Sequence, residues 1–170
     1  MKITALVVVI LLVVGGAGVY ADGARQPLDH SISITGVVPA PQEKVFALIT
    51  DVASAPQWRP AVKSVTVLKK DQNRDHWVEH LAHGQFMTFL ATHTEPPFRR
   101  EVILDDPKAS YGGTWTYQLS PGPSPDTTTL TITEKGFIRP PLYRFVMARM
   151  LGMTRNLDIY LKDLQGAARK

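Results

Sequence analysis

The longest apolar stretch of the chain lies at its amino terminus. After Lys2, residues 3–20 form a run of eighteen residues without a charge. At a rise of about 1.5 Å per residue the run would make a helix of about 27 Å, close to the hydrocarbon thickness of a bilayer, about 30 Å. The pattern predicts an N-terminal transmembrane helix, with residues 1–21 as a membrane anchor or uncleaved signal segment and residues 22–29 as a linker.

A cleaved secretory signal is the alternative for this segment, because Val19 and Ala21 are small enough for a cleavage site near Ala21. The apolar run exceeds the usual signal core of about 7 to 15 residues, which favours retention as a single-pass anchor. Lys2 precedes the run and the residues after it are nearly neutral, so we expect the N-terminus inside and the domain on the extracytoplasmic side. Cleavage would instead make the domain secreted or periplasmic.

The rest of the chain alternates between strand and helix periods. Residues 30–38 alternate as a strand, residues 42–50 have helical spacing after Pro41, and a second short helical turn is expected at 53–59. Short β-branched or aromatic runs separated by turn residues then predict an antiparallel meander. These six runs are residues 62–70, 74–83, 85–93, 99–105, 113–120 and 127–136.

The last predicted element, residues 141–165, has a clear helical period. Arg149 lies inside its apolar arc, whereas Met147 and Leu151 lie near the polar side. A helix of this length needs an apolar partner, so we predict an α+β fold in which a curved antiparallel sheet of six to seven strands wraps around a long C-terminal helix. At about 100° per residue, the arc contains Leu142, Phe145, Val146, Met150, Met153, Leu157, Tyr160, Leu161 and Leu164.

Composition narrows the chemistry. The sequence contains no cysteine, which excludes disulfides, thiolate metal sites and cysteine nucleophiles. Residues 135–170 carry eight basic and two acidic side chains, a net charge of +6. Such a region suits anionic lipid headgroups or nucleic acid, but a solvated helix face is the simpler interpretation, and we expect no nucleic-acid partner.

Five strings of the sequence resemble the START-like (SRPBCC) superfamily, and within it the polyketide cyclase/dehydrase and lipid-transport branch. They are APQEKVFALITD at 40–51, WRPAV at 58–62, GTWTY at 113–117, TEKG at 133–136 and YLKDL at 160–164. The resemblance covers a domain from residue 30 to 166, followed by a basic tail at 167–170. It implies a helix-grip fold whose sheet and long helix enclose an apolar cavity.

Two ionisable residues occupy predicted core-facing positions. Glu134 shares a strand face with Leu130 and Ile132, and Arg149 lies in the apolar arc of the last helix. A lone buried charge is costly, so we hypothesise that Glu134 and Arg149 meet, or that one of them binds the polar head of an apolar ligand. The predicted ligand-binding residues are Trp58, Trp77, Met87, Phe89, Trp115, Tyr117, Glu134, Phe145, Arg149 and Met153.

No motif identifies a catalytic residue. The chain has neither a nucleophile elbow nor a glycine-rich phosphate loop in its domain, so we expect no cofactor. His76 and His80 lie four residues apart on a predicted strand, about 13 Å, which is too far for one metal ion. Acid–base chemistry by Glu134, Glu79 or a strand histidine stays open.

These observations favour a carrier or sensor that binds a hydrophobic small molecule, such as a lipid, fatty acid or polyketide-like compound, and is held at the membrane. One alternative is a cofactor-free cyclase or dehydratase in the same cavity. The other is a scaffold with a filled core that binds membrane or protein through its basic helix. The sequence leaves the oligomeric state open.

Overall fold

The computed structural model describes residues 2–70 and 74–170, with side chains described from Val14 onward in the first helix. The turn predicted at 70–73 therefore lies almost entirely outside the described residues. The elements are α1 (Lys2–Arg25), β1 (Asp29–Val38), α2 (Gln42–Thr50), a 3-10 helix (Val52–Gln57), β2 (Val62–Lys69), β3 (His76–Leu81), β4 (Phe86–Glu95), β5 (Arg99–Leu104), β6 (Tyr111–Pro121), β7 (Thr128–Ile138), α3 (Pro141–Val146), a π-helical turn (Met147–Leu151) and α4 (Arg155–Ala168).

One seven-stranded antiparallel sheet organises the domain. Its order is β1-β7-β6-β5-β4-β3-β2, so each strand from β2 to β7 lies beside its neighbour in sequence. β1 pairs instead with β7 at the far end of the chain, with Ile34 opposite Ile132. The predicted antiparallel helix-grip architecture is confirmed.

The core lies between β1, β6 and β7 on one side and α2 and α4 on the other. Val38, Val45, Leu130 and Leu164 in this core are fully buried. The helix α4 approaches β1 closely at Gly36, where an added Cβ would lie 2.5 Å from Leu161 Cδ2. The apolar faces of β7 and α2, which follow from the periods of strand and helix, thus pack against each other at one interface.

The prediction of one long C-terminal helix was wrong. After α3 the backbone widens into a π-helical turn, and the helix ends at Gly152, whose φ of 85° suits glycine. The predicted arc assumes a constant 100° per residue, which a π turn does not keep. Consequently Met147 is only 5% exposed whereas Met150 is 70% exposed, the reverse of the prediction.

The predicted linker also differs from the structure, since α1 continues as a helix to Arg25 and β1 begins at Asp29. The end of α1 packs on α3, because Gly23 is buried against the carbonyl of Pro141. Within the described residues, no helix has the length and apolarity needed to cross a membrane. Most side chains of the predicted anchor, those of residues 1–13, lie outside the described part.

Candidate functional site

A cavity of about 400 Å³ lies between the concave face of the sheet and the C-terminal helical region. Aromatic rings form much of its wall. Trp77 stacks on Phe89 with ring centroids 5.6 Å apart, and Phe89 meets Trp115 edge to face at 6.0 Å. The ring centroids of Tyr160 on α4 and Tyr117 on β6 lie 5.4 Å apart, so the helix and the sheet meet in this part of the wall. The cavity is therefore mostly apolar and built on rigid elements.

The structure brings together eight of the ten residues predicted to bind a ligand. The eight lie on the 3-10 helix or just after it, on strands β3, β4, β6 and β7, and after the helix break at Gly152. Their contact with a ligand stays a prediction. The eight that line the cavity are Trp58, Trp77, Met87, Phe89, Trp115, Tyr117, Glu134 and Met153.

Phe145 and Arg149 are the two that do not line the cavity. Both lie on the side of the C-terminal region that faces α1: an added Cβ on Gly23 would lie 3.2 Å from Phe145 Cβ. Arg149 donates from Nε and Nη2 to the two carboxylate oxygens of Asp22, each at 3.0 Å. The π-helical turn causes this difference, because it rotates Arg149 away from the sheet.

The hypothesis that Glu134 meets Arg149 is therefore wrong. Glu134 does point inward as predicted, but its partners are on the sheet itself. His30 Nε2 lies 3.0 Å from Glu134 Oε1, and Trp115 donates from Nε1 to Oε2 at 3.0 Å. The glycine at 136 allows this pairing, because an added Cβ there would lie 3.0 Å from His30 Nε2.

A second polar cluster lies on β3, which β4, β5 and β6 separate from β7. Arg59 donates from Nη1 to Glu79 Oε1 at 2.6 Å, and Trp77 Nε1 lies 3.4 Å from the same oxygen. Burial acts to lower the pKa of Arg59, but the Glu79 carboxylate and neighbouring Tyr160 together raise it overall. The guanidinium also lies 5.2 Å from the ring centre of Tyr160. Arg59 thus stays charged beside the cavity.

Two tyrosine hydroxyls stay protonated in this region. Burial raises the pKa of Tyr117 well above its ordinary value, with a further rise from neighbouring Tyr160. Burial also raises the pKa of Tyr160 to about 12, although Arg59 acts in the opposite direction. Both hydroxyls therefore remain hydrogen-bond donors at neutral pH.

Arg100 supports the wall from behind. Its side chain is 1% exposed, lies 5.4 Å from the ring centre of Trp77, and donates from Nη2 to Asp75 Oδ2 at 3.1 Å. The indole nitrogen of Trp58 is buried and has no hydrogen-bond partner among the described residues.

The sequence analysis missed His30, Arg59 and Arg100 as cavity residues. The two-residue period of strands was a usable signal for two of them, because His30 shares a face with Ile32 and Arg100 shares one with Val102. Arg59 lies in the WRPAV string but carries no periodic signal. Its role depends on Glu79, twenty residues later.

Histidines outside the cavity have local partners. His76 Nε2 lies 3.1 Å from Asp105 Oδ2, and His80 Nε2 lies 3.2 Å from the hydroxyl of Thr66. In the described part of the chain, no three histidine, aspartate or glutamate side chains converge as a metal site would require.

The fold and the cavity together define a helix-grip domain of the START-like class. Residues 38–154 match the family described as polyketide cyclase/dehydrase and lipid transport, and the chain belongs to this family. The resemblance stated from the five sequence strings is thereby confirmed. No curated protein matches the sequence.

Solved structures show the same fold at low sequence identity. The Zhui aromatase/cyclase from a Streptomyces species superposes with a TM-score of 0.67 at 15% identity, covering 83% of this chain and 94% of that chain. A START superfamily protein from Mycobacterium smegmatis gives 0.63 at 18%, covering 82% and 97%. Norcoclaurine synthase from Thalictrum flavum gives 0.65 at 10%, covering 88% and 91%. At these identities the likeness concerns the fold alone.

Proposed function

We propose that this domain binds a hydrophobic small molecule in its cavity, as a carrier or sensor held at the membrane. The observation that carries the proposal is the aromatic-lined cavity of about 400 Å³. Ligand pockets in proteins range over about 300–1,000 Å³ and are mostly apolar with a few placed polar groups. A scaffold with a filled core is disfavoured because it has no use for such a space.

The lining suggests how a ligand would be held. Burying about 300 Å² of apolar ligand surface would contribute up to about 7.5 kcal/mol, before the loss of translational freedom is subtracted. Arg59 lines the cavity beside Tyr160 and supplies hydrogen-bond donors at this part of the wall. We therefore expect an apolar ligand, such as a lipid, fatty acid or polyketide-like compound, that carries an oxygen acceptor.

Membrane attachment is part of the proposal and depends on the sequence of α1. Residues 3–20 carry no charge, and the described side chains of Val14 and Tyr20 are exposed. Exposed apolar side chains such as these suit a lipid environment. A ligand that partitions into lipid would then be concentrated near the cavity.

Native mass spectrometry of the full chain, released from detergent micelles, tests cavity binding. We expect a co-purified apolar ligand on the unmodified protein and its loss from the double variant Leu81→Trp/Met87→Trp, whose larger side chains occupy the cavity. The matched control is Leu151→Trp/Met150→Trp, which makes the same changes at exposed positions outside the cavity. Equal ligand occupancy in both variants, or no ligand on the unmodified protein, would contradict the proposal.

A cofactor-free cyclase or dehydratase is the second candidate, and the His30–Glu134 pair is the observation that favours it. His30 Nε2 lies 3.0 Å from Glu134 Oε1. With the proton on Nε2, His30 would donate to this carboxylate and keep Nδ1 as an acceptor for a substrate proton. Such an arrangement suits proton abstraction next to a carbonyl group.

The enzymatic candidate is tested by cyclisation of a soluble β-polyketone, followed by the absorbance of the aromatic product. His30→Ala should lower the rate by about 100-fold or more if His30 acts as a general base. His93→Ala is the matched control, because His93 lies 3.8 Å from Glu95 in an exposed pair outside the cavity. Absence of turnover in the unmodified protein, or equal rates in both variants, would count against catalysis.

A further inference from the structure

The segment from Pro141 to Leu151 presents three different faces. Tyr143 and Met147 line the cavity. Phe145 and Arg149 face the end of α1. Three large apolar side chains of the segment are exposed, those of Leu142, Met150 and Leu151, and the first two are the most exposed.

These apolar residues form a stripe. Leu142 is 58% exposed and Met150 is 70% exposed, and Val146 lies between them in sequence. Residues four apart share one face of a helix, so Leu142, the half-buried Val146 and Met150 lie on successive turns of the segment. We call Leu142, Val146 and Met150 the apolar ridge. It lies between the cavity face and the α1 face of the same segment.

The ridge is rigidly connected to α1. Arg144 donates from Nε to the carbonyl of Gly23 at 2.9 Å, and Arg149 binds Asp22 through two hydrogen bonds. Tyr20 of α1 lies just before Asp22 and Gly23 in the sequence and is exposed. It is the last residue of the uncharged run 3–20. Any lipid that surrounds this run would therefore lie within reach of the ridge.

Charge around the ridge favours an anionic surface. Residues 135–155 contain five basic side chains and no acidic one. Arg144 and Arg149 are engaged with α1, while Lys135, Arg139 and Arg155 are exposed at either end of the segment. Basic residues beside exposed apolar ones are typical of a surface that enters the headgroup layer of anionic membranes.

We propose that the apolar ridge docks on a bilayer that contains anionic lipid, and that this contact turns the Tyr143 side of the cavity toward the membrane. The inference rests on the proposed function, because it gives a route between lipid and cavity. Tyr143 is half-exposed and lines the cavity, one residue from Leu142. A ligand would then enter or leave at the membrane surface.

Single-cysteine labelling of the full chain tests the docking, since the natural sequence contains no cysteine. Met150→Cys and Phe86→Cys place an environment-sensitive fluorophore at two positions that are both 70% exposed, one on the ridge and one on the β3–β4 hairpin. Each labelled chain is reconstituted in vesicles of phosphatidylcholine and phosphatidylglycerol, with and without brominated acyl chains. We expect brominated lipid to remove most of the emission at position 150 and little at position 86.

Equal quenching at the two positions, or none at position 150, overturns the docking. An emission shift at position 150 that depends on protein concentration but not on brominated lipid overturns it in favour of a second copy of the chain. The ligand measured by native mass spectrometry in detergent separates the two proposals. Bound ligand without quenching overturns the docking alone, whereas quenching without bound ligand supports the docking and overturns the cavity function.

Discussion

The two parts of the C-terminal helical region, α4 and the segment formed by α3 and the π turn, differ in how their side chains are distributed. In α4, Leu157 and Leu164 are buried seven residues apart, as a regular amphipathic helix requires. In α3 and the π turn, one short segment divides its side chains among the cavity, α1 and solvent. The comparison teaches that α4 packs on the core with one regular face and contributes Tyr160 to the cavity wall, whereas the segment before it connects the cavity, α1 and the surface.

The largest contrast is expected for deletion of an apolar side chain in each part. Leu164→Ala removes a fully buried side chain and should lower the free energy of unfolding by about 3 kcal/mol. Met150→Ala, at an exposed position, should change it by less than about 0.5 kcal/mol. Urea denaturation measures both, and similar losses would show that the two parts pack alike.

High pH should lower the free energy of unfolding through Tyr160 of α4. The pKa of Tyr160 is raised to about 12 by burial, so its stabilising contribution is complete below pH 10 and is lost as pH rises toward 12. A rise in pKa of this size corresponds to about 3 kcal/mol.

Denaturation between pH 9 and 11.5 tests this prediction, with Tyr160→Phe as the variant that cannot ionise. We expect Tyr160→Phe to lose less stability over this range than the unmodified protein. Identical pH profiles would mean that Tyr160 does not control alkaline unfolding.

A matched pair of glycine substitutions tests the helix break between the two parts. Gly152→Ala places a side chain at a φ of 85° and should cost about 2 kcal/mol. Gly166→Ala lies within α4 with open space around its Cβ position and should instead stabilise the protein by about 0.5–1 kcal/mol. Thermal unfolding should therefore shift in opposite directions, and shifts of the same sign would contradict the helix break.

The smallest effect concerns the attachment of α1. The hydrogen bonds from Arg149 lower the pKa of Asp22, so the contribution of this pair is present above the ordinary aspartate pKa of about 3.9 and is lost as pH falls through the lowered value. Asp22→Asn should release the end of α1 at every pH. Hydrogen exchange of the backbone amides of residues 20–26 measures this release, with Asp29→Asn at an exposed position as the control. Equal exchange in both variants would show that Asp22 does not hold the end of α1.

Local periodicity predicted much of the fold. The bounds of α2 coincide with the predicted residues 42–50, and the period of β7 placed Glu134 inward as observed. Of the eight predicted ligand-binding residues that line the cavity, six lie on strands, whose two-residue period places them on one inward face. The errors concentrate at the π turn, where the assumed rotation of the helix fails for Met147 and Arg149.

The sequence by itself determined the fold class, the antiparallel meander of β2 to β7 and the inward face of β7. Each of these depends on neighbouring residues and on the periods of helix and strand. The tertiary structure alone decided the partners of the inward charges. Glu134 meets His30, 104 residues away, only because β1 pairs with β7, and such contacts follow from sheet closure, which no local pattern encodes.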